Sequence, residues 1–261
     1  MNVALMTHRG AVRAENQDAL CVAGTNGPWT FWVGDMAGPE VLEVNGYPLL
    51  LAVVDGMGGH KGGARAARIL AEALTVGYKD IFDARFDPEA DRRALRSLLE
   101  KAALRMEADA GRSPEFAGMG ATVAGVLIRE KNALVFNCGD CRVYRFSAGE
   151  LERLTRDHSV VEMLYEQGEI DENEMRTHPK KNIVTSAVSA LGDNFELYAG
   201  GVSRCEEDVF FLCSDGVWEA LDAGQLARWL ARPFPEAADG LFKSLLAAGC
   251  RDNVSFLWQA R

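Results

Sequence analysis

The sequence predicts an α+β fold with mainly antiparallel sheets. Strand-like runs come in blocks, followed by blocks of helix, rather than in strict alternation. The chain has 261 residues, of which 48% are hydrophobic. That is enough for one sizeable packed core, so residues 1–261 are expected to form a single domain. No internal repeat or low-complexity tract interrupts it.

The elements follow in order. The N-terminal third reads as strands, among them the greasy run LLLAVVD, residues 49–55. Asn45-Gly46 stands between VLEV and YPLLLAVV and predicts a hairpin turn. Residues 24–46 carry Trp29, Phe31 and Trp32 and read as an extra hairpin or long loop inserted before it. A helix is predicted over 63–76, with Ala66, Ile69, Leu70 and Ala73 on one face. A second begins at Pro88 behind Asp87 as its N-cap and stops at Gly111. Its apolar positions are Leu95, Leu98, Leu99, Ala102 and Met106. Strands return with ATVAGVLI, ALVFNC and CRVYRF, the last closed by a turn at SAGE. Residues 157–179 are polar and read as a mobile flap. Then come DVFFLCSDG, two amphipathic helices between Asp222 and Ala248, and a final strand NVSFLWQA.

The net charge is −10. A nucleic-acid-binding surface would need a basic stripe, so that class is disfavoured. The six cysteines sit mostly inside apolar runs, and neither a signal peptide nor a membrane-length apolar stretch is evident. A cytoplasmic protein with free thiols and no membrane insertion is expected. Cys138 and Cys141 form a C-x-x-C pair, but a zinc site would want a second pair, so packing is the favoured reading.

Five aspartates stand at predicted strand ends, each beside small or turn-forming residues: Asp18, Asp55, Asp140, Asp215 and Asp252. A carboxylate is costly to bury unpaired, and several converging carboxylates repel unless cations sit between them. Hard oxygen donors without a Cys/His set favour Mg2+ or Mn2+ over zinc. The glycines after Asp55 let the backbone approach closely, so the Gly56 carbonyl can itself be a ligand. Arg13, five residues before Asp18, can bind two phosphate oxygens in a fork.

These motifs together resemble the bacterial-type members of the metal-dependent type 2C serine/threonine protein phosphatases, the PPM family. GAVRAENQD resembles the family's R-x-x-N-[EQ]-D opening, VVDGMGGH its second motif and GMGATV its G-x-G-[TS]-T segment. NCGDCRVYRF and LERLTRDHS resemble G-D-S-R-x-Y followed by L-T-x-D-H-S. HPKKNIVTSAVSALG, FLCSDGVWEAL and RDNVSFL resemble the remaining blocks, in the family's order. The resemblance implies a four-layer αββα sandwich with two central antiparallel β-sheets. It implies hydrolysis of phosphoserine and phosphothreonine by a metal-activated water, reversing a Ser/Thr kinase. Two Mn2+ or Mg2+ ions are implied, one bridged to the other by Asp55. The Gly56 carbonyl would bind one, Asp215 and Asp252 the second, and Asp18 would act through water. Arg13 would hold the phosphate, and Asp140 with Asp215 would bind a third cation. Phosphoprotein substrates and a cognate kinase are the implied partners of a monomeric enzyme.

The sequence departs from the family at several points. Met57 stands where eukaryotic members carry histidine, so no acid for the leaving group is evident there; His60 is the nearby alternative, with local hydrogen bonding its favoured role. Ala64, Ala121 and Cys141 replace Glu, Thr or Ser, and Ser, and AVSALG is one residue longer than its counterpart. A weakly catalytic sensing module on the same fold and a two-metal nuclease are the competing readings. Intact Asp55, Asp215 and Asp252 argue against the first, and the acidic balance against the second.

Overall fold

A computed structural model of the chain describes residues 1–25, 29–58, 60–81, 86–192 and 194–260. The elements run β1 (Asn2–His8), β2 (Asp18–Gly24), β3 (Trp29–Val33), β4 (Glu40–Glu43), β5 (Leu49–Met57), α1 (His60–Ile81) and α2 (Pro88–Arg112). They continue with β6 (Gly120–Ile128), β7 (Asn132–Cys138), β8 (Arg142–Ser147), β9 (Glu150–Arg153), α3 (Val160–Glu166), α4 (Glu172–Thr177), β10 (Val188–Ser189) and β11 (Tyr198–Ser203). The last are β12 (Val209–Cys213), α5 (Asp215–Ala220), α6 (Ala223–Leu230), α7 (Glu236–Ala247) and β13 (Val254–Ala260). One sheet has the order β4-β1-β13-β12-β8-β9 and the other β11-β7-β6-β5-β2-β3, with β10 added to β6. Neighbouring strands are antiparallel throughout.

The layering follows from the two-residue period of strands. Leu49, Leu51 and Val53 of β5 face Leu5, Phe210 and Leu257 between the sheets. Leu50, Ala52 and Val54 of the same strand face Ile69 and Leu70 of α1 and Leu99 of α2. On the far side, Phe211, Phe256 and Trp258 pack against Val217, Leu226 and Leu241 of α5–α7. The predicted αββα sandwich is therefore present, and both faces of its central strands are buried, which is why those strands read as unbroken apolar runs. No helix among the described residues is long and apolar enough to cross a membrane.

Several expectations need correction. The Asn45-Gly46 turn does not close a hairpin: β4 pairs with β1 in one sheet, while β5 pairs with β2 and β6 in the other. Val44 is held by the N-terminus, donating its N–H to the Met1 carbonyl (2.8 Å) and accepting from the Met1 amine (3.0 Å). Pro48, with no N–H, cannot extend a ladder back from β5. The 24–46 segment instead contributes an edge strand to each sheet, β3 on β2 and β4 on β1. Residues 157–179, expected as a flap, carry short helices of their own. These are α3, capped by Ser159, and α4, capped by Asp171 in a capping box with Glu174. α1 is longer than expected, and α2 ends at Arg112, with Gly111 inside it. The Asp87 cap is as predicted, its side chain accepting from the Glu89 and Ala90 N–H groups.

Candidate metal centre

The same strand period that builds the inter-sheet core builds the site at its end. Asp55 continues the inward row Leu49, Leu51, Val53, and Asp18 begins the inward row Leu20, Val22. The register sets Asp18 directly opposite Asp55, and Asp55 opposite Thr122. From the other sheet, Ser214 continues the inward row Phe210, Leu212, and Ser255 precedes Leu257. A ladder of hydroxyls joins the two sheets at this level. Ser214 Oγ donates to Asp18 Oδ2 (2.8 Å) and accepts from the Ser255 N–H (3.1 Å); Ser255 Oγ donates to Thr7 Oγ1 (2.8 Å).

Asp215 is the first residue of α5, Asp252 lies two residues before β13, and Asp140 two residues after β7. Arg13, Asp55, Gly56, Asp140, Asp215 and Asp252 line one cavity of about 410 Å³. Asp18 is buried behind them against Ser214 rather than on the cavity wall. Burial pushes the Asp55 carboxyl well above the usual carboxylate range, and Asp18, Asp215, Asp140 and Asp252 add repulsion. Asp215 is pushed the same way, by burial first and then by Asp140 and Asp252. Asp18 rises to about 6 and Asp140 to about 7, both chiefly through burial.

This is a place that wants positive charge. Asp18 Oδ1 and Asp215 Oδ1 are buried and accept no hydrogen bond. Around Gly56 the backbone closes in: a Cβ there would sit 2.2 Å from the Gly63 carbonyl oxygen and 2.7 Å from that of Gln17. The donor set therefore fits hard divalent cations. One feature departs from a ready-made site. Among the described residues, no three acidic, His or Cys side chains are gathered closely enough to enclose an ion. Asp252 is engaged elsewhere: Arg13 takes both its oxygens, Nε to Oδ1 at 2.9 Å and an NH2 to Oδ2 at 2.5 Å.

The loop that carries Arg13 is held by residues that motif reading did not single out. The Asn253 amide accepts from the Gln17 N–H (2.8 Å) and donates to the Glu15 (3.0 Å) and Arg9 (3.2 Å) carbonyls. The Asn16 side chain donates to Thr7 Oγ1 and the Gly34 carbonyl and accepts from the Asp18 N–H. Asp140 is held from behind. Its carbonyl accepts from Trp218 Nε1 at 3.0 Å, and the Trp218 ring stacks on Arg142, 3.8 Å from its centroid. Arg142 forks onto the fully buried Asp157, Nε to Oδ1 at 3.1 Å and an NH2 to Oδ2 at 2.6 Å, and Arg153 pairs with Glu162 of α3 (2.5 Å), tying the 157–179 segment to β8 and β9. Asn253 follows a predicted ligand directly, and the inward strand parity points to Ser214 and Thr122, so both signals were in the sequence. Met57 lines the cavity and is partly exposed. The side chain of His60 lies outside the described residues. Cys138 and Cys141 are both buried free thiols, Cys141 lying 3.3 Å from Thr122 Oγ1.

The fold and sequence match those of known proteins. The Listeria monocytogenes serine/threonine phosphatase stp is 27% identical over 259 residues, covering 98% of this chain and 94% of that protein. The crystal structure of the serine/threonine phosphatase Stp1 from Staphylococcus aureus superimposes with a TM-score of 0.83 at 25% identity, covering 99% of this chain and 94% of that one. The catalytic domain of the serine/threonine protein phosphatase PstP, solved in complex with 2 manganese ions, gives a TM-score of 0.75 at 25% identity over 99% of this chain and 98% of that one. The sequence profile described as Protein phosphatase 2C matches residues 35–253, and with that match the chain belongs to the protein phosphatase 2C family.

Proposed function

We propose that this protein phosphatase hydrolyses phosphoserine and phosphothreonine on proteins, using divalent cations held at the cavity, and that it reverses a Ser/Thr kinase. The observation that carries the reading is the meeting of Asp55, Asp140, Asp215 and Asp252 on one cavity wall, with Asp18 behind them. In this reading Asp55, the Gly56 carbonyl, Asp215 and Asp252 would hold two cations, Mg2+ or Mn2+, with Asp55 serving both and Asp18 acting through water. Asp140 with Asp215 would hold a third, more weakly. When bound, such cations supply an activated water and offset charge on the phosphoryl oxygens.

The chain's own residues supply the rest. Arg13 has the fork geometry for two phosphoryl oxygens. Asn253 and Asn16 fix the loop that aims it. Met57 at the rim has no proton to give a leaving alkoxide, so the site relies on positioning and charge rather than on an acid at that position. The enzyme is taken to work as a cytoplasmic monomer. The test is turnover of a phosphothreonine peptide and of p-nitrophenyl phosphate in Mn2+, in Mg2+ and after exhaustive chelation. Turnover restored only by the divalent ions is expected. Full turnover in metal-free protein would overturn the reading.

A further inference from the structure

The geometry points to a second role for Arg13: it occupies Asp252 in the metal-free protein as a stand-in cation, and a metal ion must displace it to load the site. The inference rests on the reading above, in which Asp252 is a cation ligand and Arg13 the phosphate holder. Both Asp252 oxygens are engaged by the Arg13 fork. Oδ1, which also accepts from the Asn253 N–H, is then saturated and Oδ2 keeps one lone pair, so Asp252 cannot offer a cation both oxygens until Arg13 moves. Arg13 likewise offers phosphate only its end-on NH1/NH2 edge while Asp252 holds the Nε edge.

The surroundings allow the exchange. The Arg13 side chain is 53% exposed, so the guanidinium can swing outward without opening the core. Asp252 is also held by its neighbour, at the oxygen that takes Arg13 Nε. Asn253 takes its backbone N–H to Asp252 Oδ1 (2.9 Å) and anchors the 9–17 loop with its amide. The two partners of the switch thus sit on a common frame, and one side chain has to move. The consequence is an ordered site: cation arrival releases Arg13, and Arg13 becomes available to phosphate only where the cations already are. Two ligands that share one displaced contact favour each other's binding, and the coupling is reciprocal.

The test uses the whole chain, Mn2+ alone as the calorimetric probe, and the variants Arg13→Gln and Arg13→Lys. Removing the stand-in should tighten Mn2+ binding at the site by roughly fivefold or more in Arg13→Gln, the lower end of typical site coupling. Arg13→Lys keeps the charge but cannot fork, so its affinity should fall between Arg13→Gln and wild type. In parallel, the Arg13 Nε–H resonance of the metal-free protein should be shifted and protected, and should move to a solvent-exposed position as Mg2+ is added. Unchanged or weaker Mn2+ binding in Arg13→Gln overturns the inference. So does an Arg13→Lys affinity equal to wild type, which would make the effect one of net charge alone. Failure of wild-type protein to bind Mn2+ at all would overturn the cation reading itself.

Discussion

Asp55 is the residue on which the strand pattern and the proposed chemistry meet, because the parity that buries Val53 and Leu51 carries its carboxylate into the same layer. Asp55→Asn should lower turnover by about 100-fold or more, as loss of a group acting directly on transition-state charge does. Circular dichroism of the folded protein should stay unchanged. Turnover near wild type would remove Asp55 from the chemistry. A second consequence is a pH dependence of stability. Folding raises the Asp18 carboxyl from 3.8 to about 6 and the Asp140 carboxyl from 3.8 to about 7. In that range the folded state binds more protons than the unfolded one, so stability falls as pH rises. The contribution is full below about pH 4 and is lost by about pH 7. Melting temperature in chelator should therefore decline across this window more steeply for wild type than for Asp18→Asn/Asp140→Asn. Parallel profiles would show that the slope comes from other groups. These aspartates were legible because a lone carboxylate closing an apolar run is conspicuous. Thr7 and Ser255, fully buried, were not, because a hydroxyl in a strand reads as ordinary packing.

Elements decide how far those residues can be trusted to stay in place. The 9–17 loop has no regular structure of its own, so its aim depends on the Asn253 amide. Asn253→Ala should lower kcat/KM for a phosphopeptide by about 10- to 100-fold, since small displacements of a positioning group are costly. A merely structural role would show as a lower melting temperature with unchanged kinetics per folded molecule. The 157–179 segment depends on Arg142–Asp157. Asp157→Ala strands a buried guanidinium and should cost about 3–5 kcal/mol in urea unfolding. A loss below about 1 kcal/mol would show that α3 does not rely on the pair. The sequence showed the polarity of this segment but not its order. Its helices are short and their anchors lie on β8 and β9, so the ion pairs that fix it are invisible to local pattern. The same holds for Asn45-Gly46. The turn chemistry was real, with Gly46 at φ +86, but the choice of β1 as the partner of β4 is made by residues forty positions away.

At the scale of the molecule, the site sits across the seam of the sandwich. Asp18 and Asp55 belong to one sheet, while Asp215 and Asp252 follow and precede strands of the other. A cation shared among them, as proposed, would tie the two layers together where the apolar core gives way to hydroxyls and carboxylates. Binding that favours only the folded state adds about 2.7 kcal/mol at a hundredfold excess over Kd. For a chain of this size that corresponds to a rise in Tm of roughly 5–10 °C. Mn2+ should therefore raise the melting temperature of wild type by that order. Asp55→Asn should begin from a metal-free Tm at or above that of wild type, because one buried carboxylate of a repelling group has been neutralised. It should then gain little from Mn2+. An equal rise in both proteins would place the stabilising ion elsewhere on an acidic surface. A metal-free variant well below wild type would mean that the Asp55 carboxylate is held by contacts of its own rather than waiting for a cation.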